Sequence, residues 1–264
     1  MNLGLEGKVA LVGGGSRGLG RATADVLARE GAAVAIYSRD EKALRQAATE
    51  IAAATGRDVV PIPADVSRPE DCERAIDDVV ARLGGLDVLV TNMGGPPYRA
   101  DVPLEDEEWH RAWELVTQSV VRLCRRAVPH MRARGGGRIV NVTTCGVHQL
   151  ITGTALSAVP RLATTAFSKY LAAELAASGI RVNNVLPGWI GTQRVVDLAE
   201  GEAEERGISV DDVYAEQTAA IPMTRFGRPE EIADAIAFLV SDRSSYVTGV
   251  NLRVDGGWCL NPTF

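Results

Sequence analysis

The chain is short of several things that would direct its reading elsewhere. Aromatic residues make up only 5% of 264 residues, and the net charge is -6. An acidic protein without a basic stripe excludes a nucleic-acid partner. No run of about 18 apolar residues is present, so no membrane partner or span is expected. The segment MNLGLEGKVALVGGG has no cationic region followed by a long apolar run, so no signal peptide is expected. Cys72, Cys124, Cys145 and Cys259 follow no disulfide or ligand spacing. A reducing cytoplasm and no metal site are expected. No internal repeat or low-complexity linker divides the chain. What is present is 46% hydrophobic residues, rich in Ala and Val, with 27 glycines. That suffices for one large core, and residues 1–264 are read as one layered α/β domain.

Lys8 to Gly13 (KVALVG) is a short apolar segment stopped by glycines, the pattern of a buried strand. Gly13 to Gly15, Ser16, Arg17, Gly18, Leu19 and Gly20 follow, and a helix is predicted to run on to about Glu30. Strand, glycine turn and helix together make a phosphate cradle, with unpaired N–H groups at the helix start. The next strand, Gly31 to Ser38, ends without the acid that would take a ribose 2′-hydroxyl of NAD. Arg39 stands there instead, a planar fork suited to a 2′-phosphate, and Arg17 could face the same group. NADP(H) is therefore preferred over NAD(H). The alternative leaves both arginines solvated and Asp40 on the ribose.

Further strands are predicted at Val59 to Pro63, Asp87 to Thr91, Ile180 to Leu186 and Asn251 to Val254. Helices are predicted at Glu41 to Thr55, Pro69 to Leu83, Asp106 to Arg134 and Pro229 to Val240. Asp65, with Val66, either reaches the adenine or forms a turn. The helix over 106–134 carries six arginines, Arg111 to Arg134, read as mostly solvated, with Val116, Val120, Leu123 and Ala127 facing inward. Residues 193–222 are charged and Ala-rich, broken at Gly201 and Gly207. They are read as two short helices forming a mobile substrate lid.

The stretch from Gly136 to Lys169 carries the chemistry. Arg138 to Thr143 reads as a buried strand, and an Ala-rich helix starts at about Ser157. The loop between them bears Thr144, Cys145, His148 and Gln149. Open α/β sheets place their reacting groups where such a strand ends.

With these residues in view, the chain resembles a short-chain dehydrogenase/reductase, in the style of the 3-oxoacyl-carrier-protein reductases. The resemblance rests on Gly14, Gly18 and Gly20, Asp65, Asn92-Met93-Gly94, and Arg181-Val182-Asn183. Pro187-Gly188 with Thr192, Arg228-Pro229-Glu230-Glu231, Thr248-Gly249 and Asp255-Gly256-Gly257 complete it. It implies a three-layer, doubly wound Rossmann fold with a seven-stranded parallel sheet in the order 3-2-1-4-5-6-7. It also implies a small-molecule substrate and a homotetramer or homodimer. The cofactor set it implies is Gly14, Ser16, Arg17, Gly18, Leu19, Gly20, Arg39, Asp65, Val66, Asn92, Gly94, Arg161, Pro187, Gly188, Ile190 and Thr192.

The family's catalytic pattern does not carry over. Its Ser corresponds to Thr144, its Tyr thirteen residues on to Ser157, and its Lys four further to Arg161. Val116 stands where its Asn is expected. A phenol of pKa about 10, lowered by an ammonium, protonates an alkoxide near neutrality, and a serine hydroxyl is a far weaker acid. Arg161 keeps its proton and supplies charge, not acid–base chemistry. Losing the proton donor should cost about 10²–10⁴-fold in rate. His148 is the candidate substitute acid, with a solvated loop residue as the plain alternative. Gln149 and Trp189 are candidate substrate contacts. Cys145 is a nucleophile or a buried thiol, and Ser157 a ligand group or a helix cap. Three functions remain in view: an NADP(H)-dependent oxidoreductase with an altered proton relay, acting on a carbonyl or alcohol of a small or acyl-type metabolite; a redox-silent binding protein; and a non-redox enzyme reusing the pocket.

Overall fold

A computed structural model of the chain describes residues 2–96 and 103–260. Seven strands form one sheet in the order β3-β2-β1-β4-β5-β6-β7. They are β1 (Val9–Gly13), β2 (Ala33–Ser38), β3 (Val59–Pro63), β4 (Val88–Thr91), β5 (Gly137–Val142), β6 (Ile180–Pro187) and β7 (Asn251–Val254). Every neighbouring pair is parallel. Parallel strands are covered on both faces, which is why these segments read as continuous apolar runs. Side chains still alternate. Ala10, Val12, Val34 and Ile36 face a core with helices α1 (Gly18–Arg29), α2 (Glu41–Thr55) and α9 (Pro229–Val240). Val9, Leu11, Ala35 and Leu89 face the opposite core, with α3 (Pro69–Leu83), α5 (Ser119–Ala133) and α6 (Ala155–Leu175). The edge strand β3 carries Pro61 and Pro63, where an N–H is dispensable.

Three expectations are revised. The helix predicted over 106–134 is interrupted: α4 (Asp106–Trp113) passes through a wide π-turn, Glu114–Gln118, into α5. A single turn closed by i→i+5 hydrogen bonds has no distinct hydrophobic signature, so the pattern of Val116, Val120, Leu123 and Ala127, all buried, hides it. Its arginines stay mostly exposed, as expected, while several of them pair: Arg122 with Glu114, Arg125 with Glu73, Arg126 with Asp77 and Arg134 with Asp87. Helix α6 begins two residues before Ser157, with Thr154 at its cap, so Ser157 does not cap it. Gly201 lies within α7 (Gln193–Arg206), whereas Gly207, at φ +64, does end it. Helix α8 (Val210–Ala219) follows.

Two polar devices hold the sheet. At its base, Asp87 accepts from the Val9 N–H at 2.8 Å and from Arg134 Nε at 2.8 Å and Nη2 at 3.0 Å. Across its middle, Thr91 donates to Asn141 Oδ1 (2.6 Å) and Asn141 Nδ2 to Ser168 Oγ (2.9 Å). Ser168 Oγ lies 2.8 Å from Asn184 Oδ1, and Asn184 Nδ2 donates to Asn251 Oδ1 at 2.7 Å. This ladder joins β4, β5, β6 and β7 and pins α6 through Ser168.

Burial pushes the Asp87 carboxyl up, but the hydrogen bonds from Arg134 and the Val9 N–H outweigh it and hold it below the usual carboxylate range. A depressed folded pKa contributes stability above the unfolded value of about 3.9, and that contribution is lost as pH falls through the folded value. Asp87→Asn is therefore expected to destabilise by about 1–3 kcal/mol at neutral pH. The gap to wild type should close below about pH 4. Urea unfolding followed across pH measures it.

Candidate active site

The C-terminal ends of β1 to β6 open on one cleft of about 1830 Å³. At its first end the chain leaves β1 through Gly14, at φ +63, and enters α1 at Gly18, at φ +57. A methyl group on Gly20 would run into the carbonyls of Gly13 and Gly14, and one on Gly14 would meet Asn92 Nδ2 at 2.6 Å. The turn thus leaves no room for a side chain at Gly14 or Gly20. Asn92 ties the end of β4 to it, Nδ2 donating to Gly13 O at 3.1 Å. Arg17 and Arg39 are exposed, line the cleft and make no ion pair with a described acid. Asp65 accepts from the N–H (3.1 Å) and hydroxyl (2.8 Å) of Ser67, a turn arrangement, and also lines the cleft beside Val66. Ser16, Leu19 and Gly94 complete this wall.

The second end is built by β5, β6 and the start of α6. Thr144, Ser157, Arg161, Pro187, Gly188, Trp189, Ile190 and Thr192 all line it. Thr144 Oγ1 accepts from the Gly146 N–H at 3.1 Å, which leaves its O–H free to donate. Ser157 Oγ accepts a short hydrogen bond from Arg161 Nη1, which also reaches Ser157 O at 3.2 Å. The serine O–H is likewise free to donate. Trp189 stands edge-on to Trp258, ring centres 6.0 Å apart. Arg39 follows β2 and Thr144 follows β5, three strand spacings away, or about 14 Å. Cradle, unpaired arginines and length fit an extended dinucleotide phosphate.

Arg161 is the electrostatic anomaly. It is 7% exposed and has no acidic partner among the described residues, and its Nε has no partner. Burial, then the nearby Arg194, lowers its pKa to about 10. Arg181, also largely shielded, is satisfied by contrast: its fork donates to the carbonyls of Leu239, Ser241 and Ser244.

Not every expected residue reaches the cleft. His148 and Gln149 are half-buried on the loop after Thr144 and do not line it. Burial, then Arg253, lowers the His148 pKa, so the imidazole is neutral at neutral pH. Cys145 is buried against Leu186 O (3.0 Å), and burial raises its thiol pKa, the inert-thiol alternative. Among the described tyrosines, only Tyr37 lines the cleft. It is buried beneath the glycine turn, its pKa raised by burial. Tyr98 lies outside the described residues. One residue escaped sequence reasoning: Arg194, whose Nη2 donates to Pro96 O at 2.8 Å. Arg194 sits in a charged segment where one more cation carries no signal.

A family model described as enoyl-(acyl carrier protein) reductase matches residues 14–259. The chain is 36% identical over 252 residues to the 3-oxoacyl-(acyl-carrier-protein) reductase of Escherichia coli K12, covering 96% of this chain and 97% of that protein. It is 34% identical over 260 residues to a 7alpha-hydroxysteroid dehydrogenase of Clostridium sardiniense, covering 97% and 95%. Its fold is similar to the crystal structure of L-sorbose reductase from Gluconobacter frateurii complexed with NADPH and L-sorbose. There the TM-score is 0.94 and the identity 34%, with 100% of both chains covered.

An uncompensated buried charge is a strain on the folded state. Arg161→Met removes it at similar volume, and the melting temperature is expected to rise by about 2–4 °C. A fall in a thermal denaturation scan would make the guanidinium a structural partner instead.

Proposed function

The chain belongs to the short-chain dehydrogenase/reductase family and is an oxidoreductase, and from that premise we propose that it interconverts a carbonyl and an alcohol on a small or acyl-type metabolite with NADP(H), through a rebuilt proton-donor position. One observation carries the reading: the Ser157 hydroxyl, held by Arg161, faces the same cleft as Thr144 and the intact glycine cradle.

The glycine turn and the start of α1 hold the pyrophosphate through backbone N–H groups. Arg17 and Arg39 hold the 2′-phosphate, and Asp65 and Val66 flank the adenine. Asn92, Gly94, Arg161, Pro187, Gly188, Ile190 and Thr192 surround the nicotinamide riboside. The NADPH complex of L-sorbose reductase supports this choice of cofactor. When bound, the cofactor supplies or accepts a hydride.

Ser157 and Thr144 each have an oxygen lone pair engaged, by Arg161 and by the Gly146 N–H, and each therefore presents its proton to the carbonyl oxygen. Both are weak acids. They stabilise a developing oxyanion without fully protonating it, and the final proton comes from solvent. The site then favours activated carbonyls, whose alkoxides need less help. We leave His148 out of the relay, because it is neutral and off the cleft. Trp189 bounds the substrate space, and helices α7 and α8, whose side chains wall the cleft, act as its lid. The reading includes a cytoplasmic enzyme with four free thiols, assembling as a tetramer or dimer.

Ser157→Ala and Thr144→Ala are each expected to lower kcat by about 10²–10³-fold on an activated ketone. Their NADPH affinity should stay within about twofold of wild type, and His148→Ala should leave kcat within about twofold. Stopped-time assays of nicotinamide absorbance read all three. No hydride transfer to any activated ketone, despite tight NADPH binding, would replace the reading by a redox-silent binding protein.

Arg39→Ala is expected to weaken NADPH about tenfold and NADH hardly at all. Fluorescence titration measures both. Tighter NADH than NADPH binding by the wild type would return the ribose to Asp40.

A further inference from the structure

The space beside Gly95 is surrounded by cation. A methyl group on Gly95 would lie 3.6 Å from Arg161 Nη2, 3.7 Å from Arg194 Nη2 and 3.8 Å from Ser157 Oγ. One atom placed near there is within reach of two guanidinium groups and a hydroxyl. Arg161 is more than nine-tenths buried, and its Nε has no partner. Arg194 is half-buried and is held by a carbonyl, that of Pro96. Neither makes an ion pair with a described acid; Asp197, one turn from Arg194, accepts from Gln193 and offsets the Arg194 charge only from beyond ion-pair contact.

Two partly desolvated cations facing each other without an anion repel, and burial magnifies the repulsion. Ribose hydroxyls cannot neutralise that charge. On the reading above, the cofactor's phosphates are taken by the cradle and by Arg17 and Arg39. An anionic oxygen pair fits a guanidinium fork, and two forks fit a carboxylate or a phosphate. Ser157 and Arg161 come from α6, Gly95 from the loop after β4 and Arg194 from α7, so the pocket is complete only when these elements are together.

We propose that the space between Arg161 and Arg194 beside Gly95 receives an anionic group of the substrate, so that the enzyme takes a small oxo- or hydroxy-compound bearing a carboxylate or phosphate near its carbonyl. This rests on the oxidoreductase reading for the role of the neighbouring Ser157. The pocket itself stands without it. The carbonyl then lies beside the hydroxyls of Ser157 and Thr144. A neutral chain of the same length would leave both cations unpaired.

The test is binding, not turnover. Two matched pairs are titrated by calorimetry into enzyme saturated with NADP⁺, at fixed ionic strength. They are acetoacetate against its methyl ester, and hydroxyacetone phosphate against hydroxyacetone. The expected result is that one anion binds at least about tenfold more tightly than its neutral twin. Arg194→Ala should abolish that preference and Arg194→Lys should keep part of it. The pair that shows the preference tells carboxylate from phosphate. Circular dichroism confirms that both variants are folded, and Arg194→Lys serves alone if the alanine variant is not: its preference must then fall by at least about threefold. Equal binding within both pairs, or a preference untouched by Arg194 substitution, overturns the proposal. Preferential anion binding without hydride transfer would sink only the redox reading. Hydride transfer with equal binding of both pairs would sink only this one.

Discussion

A ladder of amide and hydroxyl hydrogen bonds, from Thr91 through Asn141, Ser168 and Asn184 to Asn251, sets the height of α6 against the sheet. Every member is buried or half-buried, and an unpaired member would cost about 1–3 kcal/mol. Sliding α6 by one turn would break the ladder at Ser168. Arg161 precedes Ser168 by seven residues, two helical turns, so the ladder also places the guanidinium about 10 Å above it, at the strand ends. The reacting end inherits its position from an interior network that touches no ligand.

Three arginines show how charge is distributed along the sheet axis. At the base, Arg134 is matched by Asp87. Beside β6, Arg181 is matched by the carbonyls that close α9 and the turn after it. At the top, Arg161 has a serine and no acid among the described residues. The framework compensates its buried charge where nothing has to bind, and leaves it uncompensated at the mouth of the cleft. That pattern separates a structural arginine from one kept for a ligand.

Much of this was readable before any coordinates. Buried parallel strands announce themselves as apolar runs, and β3, α2, α3, α9 and β7 fall on their expected residues. The glycine turn was legible because Gly14, Gly18 and Gly20 stand where only glycine fits. The break at Glu114–Gln118 was not, since a π-turn inserts no distinctive residue. Position within the loop after Thr144 was also beyond sequence. Spacing brought His148 and Gln149 near the site along the chain, while the three-residue turn Cys145–Val147 carries them off the cleft. Arg194 failed for the opposite reason. Nothing local distinguishes it from its charged neighbours, and only the fold sets it against Arg161 and Gly95.

Helices α7 and α8 share a small core of their own, Ala199, Ala203 and Val213, with Ile208, Val210 and Tyr214 packed on it. Arg206, near the end of α7, clasps Glu202 at 2.7 Å and Glu216 of α8 at 2.8 Å. The two helices are thereby a single plate, held to the rest of the molecule by Arg194 on Pro96 O and by Tyr214 against Phe226. On the lid proposal, a displacement of α7 carries α8 with it and moves Arg194 relative to Arg161. Admission to the cleft and assembly of its paired-cation corner would then be one mechanical event.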